Sequence, residues 1–158
     1  MTLLAADVSV GEALPDLAVE VTPTTVVLGA LASRDWRPMH HDFKFATERN
    51  GVKDIFLNTP NQAAWFERYV TDWTGPTGRL GRITFRMRDS IFPGDVMRFV
   101  GAVTEVRTDE VGCAWATIEV TLSVGERVCT TATLVVALPT SQSDNPWKRR
   151  GDQWLPAA

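Results

Sequence analysis

Groups that move protons near neutral pH are scarce in this sequence: its 158 residues include two histidines, two cysteines and one tyrosine. The histidines are adjacent, His40 and His41, so any mechanism that needs an imidazole runs through that dipeptide. Strong charge of either sign is lacking too. A net charge of −3 generates no field that would gather nucleic acid or an anionic membrane surface, and neither is expected as a partner. No apolar run approaches the ~18 residues that cross a bilayer. The N-terminus carries Asp7 and Glu12 early and has no basic stretch, so no secretory signal is read there and a cytoplasmic location is the expectation. Cys113 and Cys129 lack CxxC spacing and lie in apolar stretches, which predicts buried thiols rather than a disulfide framework or a zinc site. Serine-nucleophile, phosphate-loop and dinucleotide-binding glycine patterns are missing as well.

What is present is a globular composition, 44% hydrophobic and 22% charged, in a chain long enough to bury ~70% of its unfolded surface in one core. The first half reads as helix-rich. Leu17 to Val21 suits a short strand, Thr22-Pro23 a capped helix start, and Asp42 the cap of a second short helix ended by Asn50-Gly51. The strongest helix starts at Thr59-Pro60-Asn61-Gln62, read as a capping box, and continues with Phe66, Tyr69, Val70 and Trp73 on one face until Gly75-Pro76. Beyond it the pattern alternates. Ile83, Phe85 and Met87 oppose Arg82, Arg86 and Arg88; Val96 to Val106, Ala114 to Val124 and Val128 to Leu138 read as strands, with a hairpin at Gly125-Glu126. One long apolar helix followed by long antiparallel strands predicts an α+β domain over residues 1–138, the sheet wrapping the helix, and its unpaired sheet edges suggest a dimer of such domains. Residues 139–158 lose periodicity and read as an irregular tail, in which Trp147 and Trp154 suggest docking on this domain or on a partner.

The one concentration of acid–base groups is Ser33-Arg34-Asp35-Trp36-Arg37-Pro38-Met39-His40-His41-Asp42. Spacing alone leaves Asp35 readable as a residue ending the first helix and His40 as a space-filler near the sheet edge. Yet Asp35, His40 and Asp42, with Pro38 between them, resemble the hydratase motif of the MaoC-like family, and Ser90-Ile91-Phe92-Pro93-Gly94-Asp95-Val96 resembles that family's turn into its next strand. The likeness runs from Gly11 to Leu138. Lys53-Asp54-Ile55-Phe56-Leu57-Asn58 and Arg68-Tyr69-Val70-Thr71-Asp72-Trp73 are similar to a subset of small MaoC-like subunits, those of actinobacterial enoyl-CoA hydratases acting on steroid side chains, which pair with a second, larger MaoC-like subunit.

The resemblance implies a single hotdog domain, a coenzyme A thioester as substrate with no further cofactor, and reversible addition of water to a 2-enoyl group. It implies Asp35 and His40 as the catalytic pair, holding one water, with their division of the proton transfers left open; a positioned acid–base group is worth ~10²- to 10⁴-fold in rate. The oxyanion donors would be backbone N–H groups at the start of the central helix. Where the family has His-Gly this chain has Leu57-Asn58, and Pro60 has no N–H, so Asn58 or Thr59 is the candidate, whether or not Thr59 also caps the helix. Arg37 stands where the family has Asn; it either pairs with Asp35 and weakens it as a base or points to solvent, and solvent is the expectation. Arg79, Arg82 and Arg86 are candidates for coenzyme A phosphates against the plainer reading of a solvated face. No metal is expected, since the side chains of His40, His41 and Asp42 diverge. The partners implied are an acyl-CoA and either a second copy or a related MaoC-like subunit, as homodimer, heterodimer or heterotetramer. One chain of this size is too short for a double hotdog. Two other readings keep the fold: an acyl-CoA thioesterase using Glu67 or Asp72 on the central helix, and a non-catalytic hotdog subunit that binds or scaffolds a partner.

Overall fold

Alternation of apolar and polar residues across four long segments builds most of the molecule. In the computed structural model, which describes residues 2–156, the strands are β1 (Leu17–Glu20), β2 (Arg79–Met87), β3 (Val96–Thr108), β4 (Ala114–Val124) and β5 (Arg127–Leu138). The first residue of the 1–138 division and the last two of the 139–158 tail lie outside the described residues. The strands form one antiparallel sheet in the order β1-β3-β4-β5-β2. Register shifts after Leu80, Val103 and Leu122 interrupt three of its ladders, and such irregularities bend a sheet and increase its twist. Arg88 falls beyond β2, where its N–H bonds the Cys129 carbonyl (2.8 Å), so only Arg82 and Arg86 of the expected stripe share the strand.

Three helices lie between β1 and β2: α1 (Pro23–Ala32), α2 (Phe43–Glu48) and α3 (Thr59–Thr74). The start of α3 corrects the sequence reading. Asn58 is the cap, its side-chain oxygen accepting from the Asn61 N–H (3.2 Å), and Thr59 is the first helical residue. Gln62 takes no part in a capping box. Its side chain is fully buried and accepts from the Thr130 hydroxyl on β5 (2.8 Å). From there Phe66, Tyr69 and Val70 face the sheet, and the helix ends at Gly75 with φ +71°. Phe66 meets Phe99 edge-on at 5.2 Å and stacks on Phe85 at 6.3 Å. Helix and sheet lie close together at Gly101, where a Cβ would stand 3.1 Å from the Tyr69 ring and 3.2 Å from the Glu119 carbonyl oxygen.

Inner sheet positions, among them Phe99, Val103, Ile118, Val120, Leu122, Leu134 and Val136, complete this core. Cys129 belongs to it, and Cys113 lies on the outer face; burial pushes both thiols up.

The tail docks on its own domain, covering the part of that outer face around Trp115. Trp154 packs on Trp115 (4.9 Å between rings), beside Cys113, Val135 and Ala137. The Arg79 guanidinium lies 3.6 Å from the Trp154 ring and donates to the carbonyls of Pro146 and Arg149, both at 3.2 Å. Trp147 donates its indole N–H to the Gly78 carbonyl (3.1 Å). Gly81 allows the close approach, since a Cβ there would fall 2.6 Å from Trp115 and 2.9 Å from Pro156.

Aromatic pairs contribute ~0.5–1.5 kcal/mol beyond their area, and cation–π contacts ~0.5–2 kcal/mol. Trp154→Ala is therefore expected to lower the unfolding free energy by about 1–3 kcal/mol in urea titrations, while Trp147→Ala costs less, because Trp147 is 49% exposed.

Candidate active site

The end of α1 sets the position of Asp35. Ser33 caps the helix and returns its hydroxyl to the Gly29 carbonyl (2.7 Å). Arg34 adopts φ +54°, the one non-glycine residue among those described with positive φ, its N–H bonding the Leu31 carbonyl (3.1 Å) while the Asp35 N–H bonds that of Ala30 (2.9 Å). This is the Schellman arrangement, with arginine at the left-handed position that usually takes glycine. Pro38 then opens a 3₁₀ turn, Pro38–His40, that brings the buried His40 back towards Asp35.

The start of α3 meets the end of α1 at this point. Asn61 donates its side-chain amide to the Thr25 carbonyl (3.1 Å), and α1 offers Gly29 at the crossing, where a Cβ would overlap the Asn61 amide nitrogen at 1.9 Å. One turn earlier, the buried Asn58 amide donates both to Ser33 Oγ (2.8 Å) and to Asp35 Oδ2 (3.1 Å).

Asp35 and His40 are thus brought together, with His40 Nε2 3.6 Å from Asp35 Oδ2 and both side chains buried. His40 Nδ1 lies 2.8 Å from the Phe56 carbonyl oxygen, and the two rings meet edge to face at 4.9 Å. A carbonyl only accepts, so Nδ1 carries the hydrogen and, in the neutral ring, Nε2 turns its lone pair towards the carboxylate. Two acceptors facing one another at that distance make a place for a group that donates to both.

The expectation that Arg37 points to solvent is corrected. Its side chain is largely exposed, but the guanidinium folds onto Asp35, with Nε 2.9 Å from Oδ1 and Nη2 3.0 Å from Oδ2. The Arg37 guanidinium chiefly, then Asn58 and the nearby imidazole, hold the Asp35 carboxyl well below the usual carboxylate range, against burial, which pushes it up.

Asn58 and Thr59 stand at the helix start beside this pair, where the first N–H groups of α3 have no partner within the helix. Sequence reasoning assigned Asn58 its backbone N–H but missed its side chain, the residue's largest contribution here. The coenzyme A candidates fare unevenly. Arg79 is held between Trp154 and the tail carbonyls at the far end of β2. Arg82 lines a groove on the outer sheet face with Glu105 and Arg107, and Arg86 is exposed. His41 is exposed, and Asp42 caps α2 through the Phe45 N–H (3.0 Å). Among the described residues no three His, Cys, Asp or Glu side chains gather to hold a metal, and no helix is long and apolar enough to cross a membrane. Glu67 and Asp72 are exposed on α3, Asp72 paired with Arg68 (3.3 Å); nine or more residues beyond Asn58, they lie ~13 Å or more along the helix from the pair.

No family model matches the chain. It is 40% identical over 97 residues, 61% of this chain and 74% of the other, to the 3-oxo-4,17-pregnadiene-20-carboxyl-CoA hydratase beta subunit of Mycobacterium tuberculosis. Among solved structures it is similar to the ChsH1-ChsH2 complex from the same organism, with TM-score 0.75 and 34% identity over 82% of this chain and 98% of that one. It shares its fold with the (R)-hydratase from A. caviae involved in PHA biosynthesis (TM-score 0.73, 22% identity, 84% and 98% covered). The same holds for a MaoC-like dehydratase from Rhodospirillum rubrum (0.74, 17%, 86% and 96%).

Two outcomes test this geometry. Replacing a mid-helix glycine by alanine ordinarily stabilises by ~1 kcal/mol, but Gly29→Ala is expected to destabilise, because the overlap with Asn61 forces α1 away from α3; chemical denaturation reads the sign. Asp35 has a lower pKa folded than its ordinary 3.8, so the stability it supplies is present above that value and is lost as pH falls below it. The stability difference between wild type and Asp35→Asn should then be level from about pH 5 to 7 and change below about pH 4.

Proposed function

The chain belongs to the MaoC-like hydratase family, and from that footing we propose that it adds water reversibly to a 2-enoyl-CoA bearing a bulky, steroid-type acyl group, in a complex with a second MaoC-like subunit. Enoyl-CoA hydration is the family-level activity. The M. tuberculosis relative, by its name a hydratase subunit for a pregnadiene-carboxyl-CoA, supports the bulky substrate. The likeness to a chain of the ChsH1-ChsH2 complex supports the second subunit. An open, largely apolar groove of about 510 Å³ between α1 and α3, bordered by Leu28, Ala32, Ala64 and Trp65, also fits a large hydrophobic group.

The observation that carries the reading is the facing of His40 Nε2 and Asp35 Oδ2 across 3.6 Å, with the tautomer of His40 set by Phe56. A water donating to both presents its oxygen to the β-carbon. Attack forms the C–O bond while the alkene electrons move through the α-carbon to the thioester oxygen. One proton leaves the water and one is delivered to the α-carbon, so a single H and OH are added. The negative charge that develops on the thioester oxygen meets the N–H groups of Asn58 and Thr59 at the positive end of α3.

The test uses the chain co-purified with a MaoC-like subunit from its own cell, a steroid-type 2-enoyl-CoA and a short straight-chain 2-enoyl-CoA. The expected result is a 3-hydroxyacyl-CoA product, formed faster from the bulky substrate, and a loss of ~10²- to 10⁴-fold in kcat for His40→Ala and Asp35→Asn. Release of free coenzyme A without hydroxyacyl product, or variants as fast as wild type, would overturn the assignment.

A further inference from the structure

We propose that Arg37 is a positioning residue: its guanidinium clamps both oxygens of Asp35, making the carboxylate a fixed acceptor and leaving His40 to carry the water's proton to the α-carbon. The proposal rests on the hydratase reading for its chemistry and on the hydrogen bonds around Asp35 for its geometry.

Asp35 receives four protein donors. Oδ1 accepts from Arg37 Nε (2.9 Å) and from the Arg37 backbone N–H (3.3 Å); Oδ2 accepts from Arg37 Nη2 (3.0 Å) and Asn58 Nδ2 (3.1 Å). A carboxylate has about four lone-pair positions, so these donors occupy its ordinary capacity and a further donor shares an already engaged oxygen. The guanidinium contributes two of the bonds from one rigid plane, which fixes the carboxylate's rotation as well as its charge. The titratable groups that act on Asp35 are Arg37 and, more weakly, His40; Asn58 is neutral. With the arginine in place, Asp35 stays ionised throughout the range in which an imidazole titrates.

The proton balance follows. His40 Nε2 takes a proton from the water as its oxygen bonds to the β-carbon, becoming imidazolium beside the fixed anion, and then returns that proton to the α-carbon as the enolate electrons form the C–H bond. The net change is one water added, with His40 restored and Asp35 unprotonated throughout.

The Arg37 side chain is 66% exposed against 9% for Asp35, so it lies over the carboxylate on the solvent side. The pair is exposed on the arginine side and buried on the carboxylate side, so removing the guanidinium costs part of the stability that the ionised carboxylate supplies while Asn58 still holds one of its oxygens.

Arg37→Ala and Arg37→Lys, each in the full chain with its partner subunit, separate the possibilities. For Arg37→Ala the expected result is a cooperative melting curve at a modestly lower temperature and a kcat about ten- to a hundredfold lower at little-changed KM, in keeping with ~10²-fold losses from small misplacements. The acid limb of its pH–rate profile should move to higher pH. Lysine restores charge without the fork, so it should recover part of the pH profile and less of kcat. Carbon-13 NMR of the Asp35 carboxyl, assigned against Asp35→Asn, should show titration at higher pH in Arg37→Ala than in wild type. Wild-type kcat and acid limb in Arg37→Ala would overturn the proton assignment. An Asp35 carboxyl that titrates identically in both proteins would overturn the clamp, whatever the reaction. Absence of hydration by the wild-type complex on every 2-enoyl-CoA would instead overturn the hydratase reading and, with it, the proton step, while the titration still decides the clamp.

Discussion

One side chain, that of Asn58, holds together the parts from which the site is made. Its oxygen starts α3, and its amide reaches Ser33, where α1 stops, and Asp35. Buried polar groups cost ~1–3 kcal/mol when left unsatisfied, and Asn58 is buried with its cap and amide contacts made within the domain. It is therefore a structural joint before it is anything else. The core supports this joint from below: Phe66, Tyr69 and Val70 hold α3 against the sheet, and Gly29 lets α1 lie close enough for Asn61 and Asn58 to reach across.

Much of the fold was legible because burial imposes periods on sequence. The long strands alternate, α3 repeats its apolar face every three to four residues, and both patterns survive any detail of packing. The exact start of α3 was not legible. Asn and Thr are both good caps and proline is accepted at either of the first two helical positions, so local chemistry could not separate Asn58 from Thr59. His40 could be singled out because the chain has two histidines, side by side, and Asp35 because the residues around the pair resemble the MaoC-like motif. The outcomes for Arg37 and Arg79 could not, because a long flexible cation reaches whatever tertiary structure brings near it. Arg37 took the carboxylate two residues away, which the sequence offered only as the alternative to solvent, and Arg79 took Trp147 and Trp154 in the tail. Arg34 was hidden for another reason: the left-handed conformation at a helix end is usually announced by glycine, and here it is not.

The tail gives the sheet an asymmetry that matters for how the domain meets other molecules. Its turns and tryptophans occupy the outer face around Trp115 and the first residues of β2, while the farther part of β2, towards Met87, is left beside the start of α3, where Thr59 Oγ1 reaches Met87 Sδ (3.5 Å). Structural support from the tail and the chemistry around Asp35 thus belong to opposite ends of the same edge strand. The division explains how Arg79 and Arg86, seven positions apart on one strand, come to have unrelated surroundings.

The Schellman end of α1 also decides which changes of length the chain can tolerate. Asp35 follows that end directly, so its direction is fixed by where the helix stops, and each residue added or removed within α1 turns the stop by ~100° about the helix axis. Loops elsewhere, such as Asp109–Gly112 between β3 and β4, could grow without disturbing the carboxylate. A single insertion in the ten residues of α1 would swing it away from Asn58 and His40. In this domain α1 acts as a ruler, and its length is as much a part of the site as the residues at its end.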